Sequence, residues 1–326
     1  MEREKKPRRP RKKPTEQGLF PETPKKVLVT GASGFVGTRI VAELLQRGFQ
    51  VVALARRLSQ SSSEPGVIRV AADVTLSGWE RWVEGCSAVI HLVGIIREDP
   101  RQGITFHGAH VEATARVVEV CKKFGIFRLV HMSAVGADPQ SPIPYHRTKG
   151  QAEELVRASG LAWTIFRPSV IFGPGDGFTT TLTGVIRRAP LVPVFGDGSY
   201  PLQPVAVEEV AEAFVASLEN PQAVEQIVEL GGPEVLSYRQ VLQRIASSLG
   251  KKRLFVPIPL PLVRPAVKIA AWLLSNPPIT PDELAMLLAG STADIRVAQK
   301  LFDLPRKNFR GVSWSEAWQQ PRQASG

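Results

Sequence analysis

The chain has 326 residues, 43% of them hydrophobic, enough to bury a sizeable core, and it contains no uninterrupted apolar run long enough to expect a membrane-spanning helix. Its formal charge of +11 is concentrated at the start, where residues 1–14 hold eight Lys or Arg, two Glu and three Pro; this composition argues against a secretory signal or transit peptide and reads as a disordered basic arm over residues 1–24. Its two cysteines, Cys86 and Cys121, have neither metal-ligand spacing nor a disulfide framework and read as core fillers of a protein in a reducing compartment.

The first predicted strand, residues 26–30, runs into Gly31, Gly34 and Gly37, spaced three apart, and then into a helix over residues 35–47. Gly31 permits a sharp turn, Gly34 a close approach of backbone to a pyrophosphate, and Gly37 tight packing of helix on strand. The helix N-terminus offers its N–H groups and dipole to phosphates, so the segment reads as a dinucleotide cradle.

A second strand, residues 50–56, ends in Ala53-Leu54-Ala55-Arg56-Arg57. An NAD site wants a carboxylate here for the ribose hydroxyls, whereas two guanidiniums suit a 2′-phosphate, so NADP(H) is favoured over NAD(H). The alternative for Arg57, and less so for Arg56, is a surface arginine closing a strand. A third strand, residues 67–72, leads to Asp73 and Val74, where Asp73 can accept from an adenine amino group or cap the helix that follows.

Further strands fall at residues 88–93, 128–133 and 163–168, with helices at 114–124 and 145–159, the latter carrying Glu153 and Glu154 on its outer side. Such alternation predicts an α/β fold, a doubly wound parallel sheet of Rossmann type. Helices at 179–188, 207–219 and 238–249 follow among Gly- and Pro-rich loops. The expected division is a cofactor-binding domain over residues 25–175 and a smaller substrate lobe over 176–320 interleaved with it. In residues 254–274 four prolines are expected to leave an apolar helix of about ten residues from Ala266, able to lie on a membrane or cover a pocket.

Tyr145 and Lys149, four apart on one helical face, can converge with Ser133 at the end of the preceding strand. A cation beside a phenol favours phenolate, which fits Tyr145 as proton donor or acceptor, Lys149 as its tuner and ribose ligand, and Ser133 as the anchor of a substrate oxygen. His91 and His131 read as satisfied core residues, and no His is arranged to bind a metal. His146 can line a pocket or face solvent; Arg167 and Asp176 can reach the pocket mouth or brace the loop.

With the glycine pattern, the Ala71-to-Val74 segment, Ile90-His91-Leu92-Val93-Gly94, His131-Met132-Ser133-Ala134, the Tyr145/Lys149 pair, Arg167-Pro168-Ser169-Val170-Ile171-Phe172-Gly173-Pro174-Gly175-Asp176 and Gln203-Pro204-Val205-Ala206-Val207-Glu208-Glu209-Val210, the chain resembles the short-chain dehydrogenase/reductase superfamily in its extended or atypical branch, related to nucleotide-sugar epimerases and dehydratases. It is most similar to the group of the nucleotide-binding accessory subunit of respiratory complex I and its bacterial relatives. The resemblance implies Ser133, Tyr145 and Lys149 as catalytic residues. It implies a cofactor held by Gly31, Ser33, Gly34, Phe35, Val36, Gly37, Arg56, Arg57, Asp73, Val74, Leu92, Val93, Gly94, Tyr145, Lys149, Pro168 and Val170. Two departures, the absent acid after the second strand and the short gap from Ser133 to Tyr145, speak against a nucleotide-sugar substrate.

Two functions stay open at this point. One is a cytoplasmic or membrane-peripheral reductase or dehydrogenase for a small apolar carbonyl, hydroxyl or quinone-related compound. The other is an NADPH-holding structural or assembly protein of a respiratory or quinone-linked complex. Nucleic acid is not expected as a partner, since neither stacking aromatics nor a known module accompanies the basic arm.

Overall fold

A computed structural model describes residues 26–57, 64–274 and 277–311; the basic arm lies outside them. The first half of the chain gives β1 (Lys26–Thr30), α1 (Phe35–Gln46), β2 (Gln50–Ala55), β3 (Val67–Ala71), β4 (Ala88–His91), α2 (Ala113–Phe124), β5 (Arg128–Met132), α3 (Pro144–Arg157) and β6 (Ala162–Pro168). Then follow β7 (Ile171–Phe172), α4 (Gly177–Arg188), β8 (Leu191–Phe195), β9 (Pro201–Leu202), β10 (Val205–Ala206), α5 (Val207–Ser217), β11 (Gln226–Leu230), β12 (Leu236–Ser237), α6 (Tyr238–Ser248), β13 (Leu254–Ile258), α7 (Leu260–Leu273), α8 (Pro281–Ala289) and α9 (Arg296–Phe302).

Seven strands form one parallel sheet in the order β11-β6-β5-β4-β1-β2-β3, the doubly wound arrangement that the alternating pattern predicts. Both faces are covered, which is why the inner strands read as unbroken apolar runs. Side-chain alternation assigns Val27 and Val29 to the layer of α1 and α5, with Ile40, Leu44, Val210 and Phe214, and Leu28 to the opposite layer, with Val117, Cys121 and Val156. Cys86 and Cys121 are free and buried, and burial pushes their thiols up to about 11 and about 12.

The sequence reading missed β11, which crosses back from the C-terminal half to pair with β6, Val228 opposite Phe166. A separate cluster gathers Ile186, Val192, Val194, Leu236, Val241, Leu242 and Ile245 around the parallel β8–β13 pair and α6. The helix expected from Ala266 begins earlier, at Leu260. Pro261 sits in its first turn, where the missing N–H has no intrahelical partner in any case, and Pro265 is carried inside.

Candidate functional site

All the candidate groups lie beyond the carboxyl ends of the parallel strands, the edge at which open sheets of this type bind ligands. At the end of β1 the backbone turns at Gly31 (φ +72°), and the Gly34 N–H donates back to the Gly31 carbonyl at 3.0 Å. A Cβ on Gly37 would stand 2.2 Å from that carbonyl oxygen, so α1 can pack this close only without a side chain there. Gly34 caps α1 with no side-chain bond to its first-turn N–H groups, and Ser33 and Gly34 are exposed beside them. This Cβ-free cradle at a helix N-terminus fits the pyrophosphate of a dinucleotide.

The other residues expected at the cofactor lie at or after the ends of β2, β3, β4 and β6 or on α1 and α3. Arg56 and Arg57 are exposed at the end of β2, and no carboxylate shares that turn. Asp73 accepts from the Thr75 N–H at 2.9 Å and its hydroxyl at 2.7 Å, so it caps a turn and keeps its second oxygen unengaged among these contacts. Phe35 is half-buried, while Val36 and Val74 are core residues whose backbone alone can face a ligand. Leu92 is buried, its N–H on the Thr30 carbonyl at 3.2 Å; Val93 is half-buried and Gly94 exposed. Pro168 is buried at the end of β6, and the half-buried Val170 packs on the smaller apolar cluster.

Ser133 follows β5 directly. Its N–H donates to the Phe166 carbonyl at 2.7 Å, while its buried hydroxyl has no partner among the described residues. Tyr145 and Lys149 sit one turn apart on α3, whose first turn contains Pro144. Lys149 is 3% exposed and donates to the Met132 carbonyl at 3.0 Å, the residue before Ser133, which brings α3 against the end of β5. A Cβ on Gly94 would stand 2.9 Å from the Lys149 Nζ, so this glycine is the opening through which the ammonium faces the loop after β4.

The electrostatics differ from the expectation. Burial holds the Lys149 ammonium down to about 8, with Glu153 pulling the other way. Burial also pushes the Tyr145 phenol up to about 12, and Lys149, turned toward Met132, does not bring it down. Tyr145 is thus a protonated donor, not a preformed phenolate.

The sequence reading overlooked His110. It lies in a π-helical segment, His107–Glu112, that runs into α2, and such single-turn widenings often mark functional sites. The His110 Nδ1 meets the Thr148 hydroxyl at 2.8 Å and its Nε2 receives the Ile95 N–H at 3.2 Å. Its ring stands edge-on to Tyr145 at 5.4 Å and is stacked on Phe106, and Phe106 and His146 lie 5.9 and 5.6 Å from the phenol. Only a histidine within a segment rich in small and helix-forming residues signalled it; the role depends on the widened turn.

Of the other expectations, some agree with the structure and some are corrected. His91 is satisfied, by Thr30 Oγ1 at 2.7 Å and Thr114 Oγ1 at 3.2 Å, but His131, stacked on it, has neither ring nitrogen partnered among the described residues. His146 is buried against Gly136 instead of facing solvent. Glu153 is not on the outer side of α3: it is 3% exposed and takes a bidentate pair from Arg167 at 2.8 and 2.6 Å, while Glu154 is exposed. Arg167 therefore ties β6 to α3. Asp176 caps α4 through the Thr179 N–H at 2.6 Å, so it braces its loop.

A doubly wound parallel sheet with a glycine cradle after its first strand, and Lys149 held against the end of its fifth, defines a Rossmann protein of the dinucleotide-binding type. Residues 27–231 match the NAD dependent epimerase/dehydratase family, and the chain belongs to it. Among its relatives are the NADH-ubiquinone oxidoreductase 40 kDa subunit of Neurospora crassa, 26% identical over 78% of this chain and 68% of that one, and the NADH dehydrogenase [ubiquinone] 1 alpha subcomplex subunit 9 of Arabidopsis thaliana, 28% identical over 72% and 61%. A ceramide reductase of Caulobacter vibrioides is 28% identical over 76% and 78%. The chain thus spans less than two thirds of the Arabidopsis protein. Among solved structures, MoeE5 in complex with UDP-glucose and NAD shares the fold, with a TM-score of 0.69 at 24% identity over 87% of this chain and 95% of that one.

Proposed function

We propose that the protein is an NADP(H)-dependent reductase for a small apolar carbonyl or quinone-related compound. The observation that carries this is the buried Ser133 hydroxyl, left without a partner beside the Lys149 and Tyr145 helix, because a buried hydroxyl with no partner is costly unless a ligand engages it. Bound in the cradle, a reduced nicotinamide supplies a hydride. Ser133 donates to the substrate oxygen, and Tyr145, neutral at physiological pH, delivers the proton that this oxygen needs as it is reduced. Lys149, one turn further along α3, holds the ribose hydroxyls. Arg56 and Arg57 pair with the 2′-phosphate, which favours NADPH over NADH. An apolar substrate agrees with the names of two relatives, the ceramide reductase and a 2-alkyl-3-oxoalkanoate reductase of Stenotrophomonas maltophilia.

A second reading has support of its own: the respiratory-subunit relatives favour a structural component that holds NADPH without turnover. Titration with NADPH and NADH, followed by NADPH oxidation against quinones and apolar ketones, separates the two. Turnover that Tyr145→Phe removes while NADPH still binds supports the reductase; tight binding with no turnover across the panel supports the structural role and overturns the first reading.

A further inference from the structure

α7 carries large apolar side chains on two opposite faces. Val263 and Val267 point inward, packed with Leu284 of α8 and with Phe195, Ile258 and Leu288. On the other side Leu262, Ile269, Trp272 and Leu273 are 64%, 57%, 81% and 65% exposed. At 100° per residue these four fall within an outward arc of roughly 100°, and Pro265 and Ala266 complete it without adding a polar group. Arg264 and Lys268, both exposed, flank one edge of that arc. The strand leading into the helix continues the theme, with Leu254 exposed opposite Leu191 in the β8–β13 register.

Along this stretch of chain the charge has one sign. From Lys251 to Pro281 the sequence has five cations and no carboxylate, and Lys251, Lys252, Arg264 and Lys268 are all exposed; the acids next in sequence, Asp282 and Glu283, open α8, where Glu283 is paired with Arg97. A second copy docking α7 against α7 would oppose like charges. A convex helix with protruding Leu, Ile and Trp side chains instead suits a deformable apolar medium, with cations lying where anionic groups begin. Among the described residues no helix is long and apolar enough to cross a membrane, so the fit is to a surface.

We propose that α7 is an interfacial anchor: Leu262, Ile269, Trp272 and Leu273 enter the headgroup layer of an anionic bilayer while Arg264 and Lys268 meet its phosphates. The anchor is coupled to the candidate site through its neighbour. Arg97, in the loop after β4, donates to Glu283 of α8 at 2.7 Å and to the Pro277 carbonyl at 3.0 Å, and α8 also packs on α3, the helix of Tyr145 and Lys149. The docking stands whether or not the site turns over NADPH.

The test is flotation of the full chain with vesicles of phosphatidylcholine alone and with about one third phosphatidylglycerol, at low and high salt. Flotation with the anionic vesicles at least tenfold stronger than with neutral ones is expected. Trp272→Glu and Arg264→Glu/Lys268→Glu should each lower it at least tenfold with an unchanged melting temperature, since the altered side chains are exposed. Ile269→Ser, a milder change to the same arc, should lower it in the same direction. Absence of flotation overturns the proposal. So does flotation that Trp272→Glu leaves intact and removal of residues 1–24 abolishes, which would assign lipid binding to the basic arm. Self-association that Trp272→Glu abolishes, without vesicle binding, overturns it in favour of a second copy.

Discussion

Replacing Lys149 with methionine should make the ligand-free protein more stable at neutral pH while removing its hold on a nicotinamide cofactor. The ammonium is 3% exposed, and burial lowers it from the ordinary 10.5 to about 8. That gap of two to three pKa units corresponds to about 3 kcal/mol of penalty for keeping the charge in the folded state. Methionine retains most of the stem but loses the hydrogen bond to the Met132 carbonyl, worth about 1 kcal/mol, which leaves a net gain of about 2 kcal/mol. The sign with pH follows from the depressed value. Between pH 8 and 10.5 the unfolded chain binds the Lys149 proton and the folded one does not, so the contribution of Lys149 to stability rises through that window, and its full penalty is felt below it. The histidines that face Lys149, His91, His110 and His131, are all held neutral by burial, and Glu153 is paired with Arg167, so Lys149 is the group of this cluster that titrates there. Urea unfolding at pH 7 and pH 10 measures both numbers. An advantage for Lys149→Met at pH 7 that nearly vanishes at pH 10 is expected; a variant no more stable at pH 7, or a gap independent of pH, refutes the argument.

Three other outcomes follow from the packing. Gly37→Ala places a methyl 2.2 Å from the Gly31 oxygen, and a fluorescence titration should show NADPH affinity lowered at least tenfold as α1 is pushed off the cradle. His110→Leu leaves the Ile95 N–H without its acceptor, at a cost of about 1–3 kcal/mol; hydrogen exchange should accelerate at Ile95, and any NADPH turnover should fall at least tenfold as Tyr145 loses its edge-on neighbour. Arg167→Leu strands the buried Glu153 carboxylate and should lower unfolding stability by about 3–5 kcal/mol, much of it recovered in the double variant with Glu153→Gln; additive effects in that cycle would disprove the pairing.

The parallel sheet was legible because strands buried on both faces must be continuous apolar runs, as in Lys26–Thr30 and Gln50–Ala55. β11 was not, because Gln226 and Glu229 break the run on a strand that closes the sheet's edge. The start of α7 was hidden by prolines that read as breakers, although the first turn of a helix tolerates them. The approach of Lys149 to the end of β5 could be read from a four-residue spacing from Tyr145 and a strand end. His110 could not, since nothing local marks the widened turn that places it against Tyr145. Glu153 looked like an outer-face acid because its partner, Arg167, belongs to a different strand and meets it only in the folded chain.

The late return of β11 to the sheet bears on how the protein is made. When the ribosome has released β6, its outer edge has no neighbour, and Trp163, Ile165 and Phe166 stand beside an open row of backbone donors and acceptors until Gln226–Leu230 arrives. The smaller cluster's α4 and β8, and α5 of the main sheet's layer, are translated in that interval. A nascent chain halted there offers a template for pairing with its neighbours on the polysome, so chaperone demand should peak just before the last strand emerges and fall once it docks.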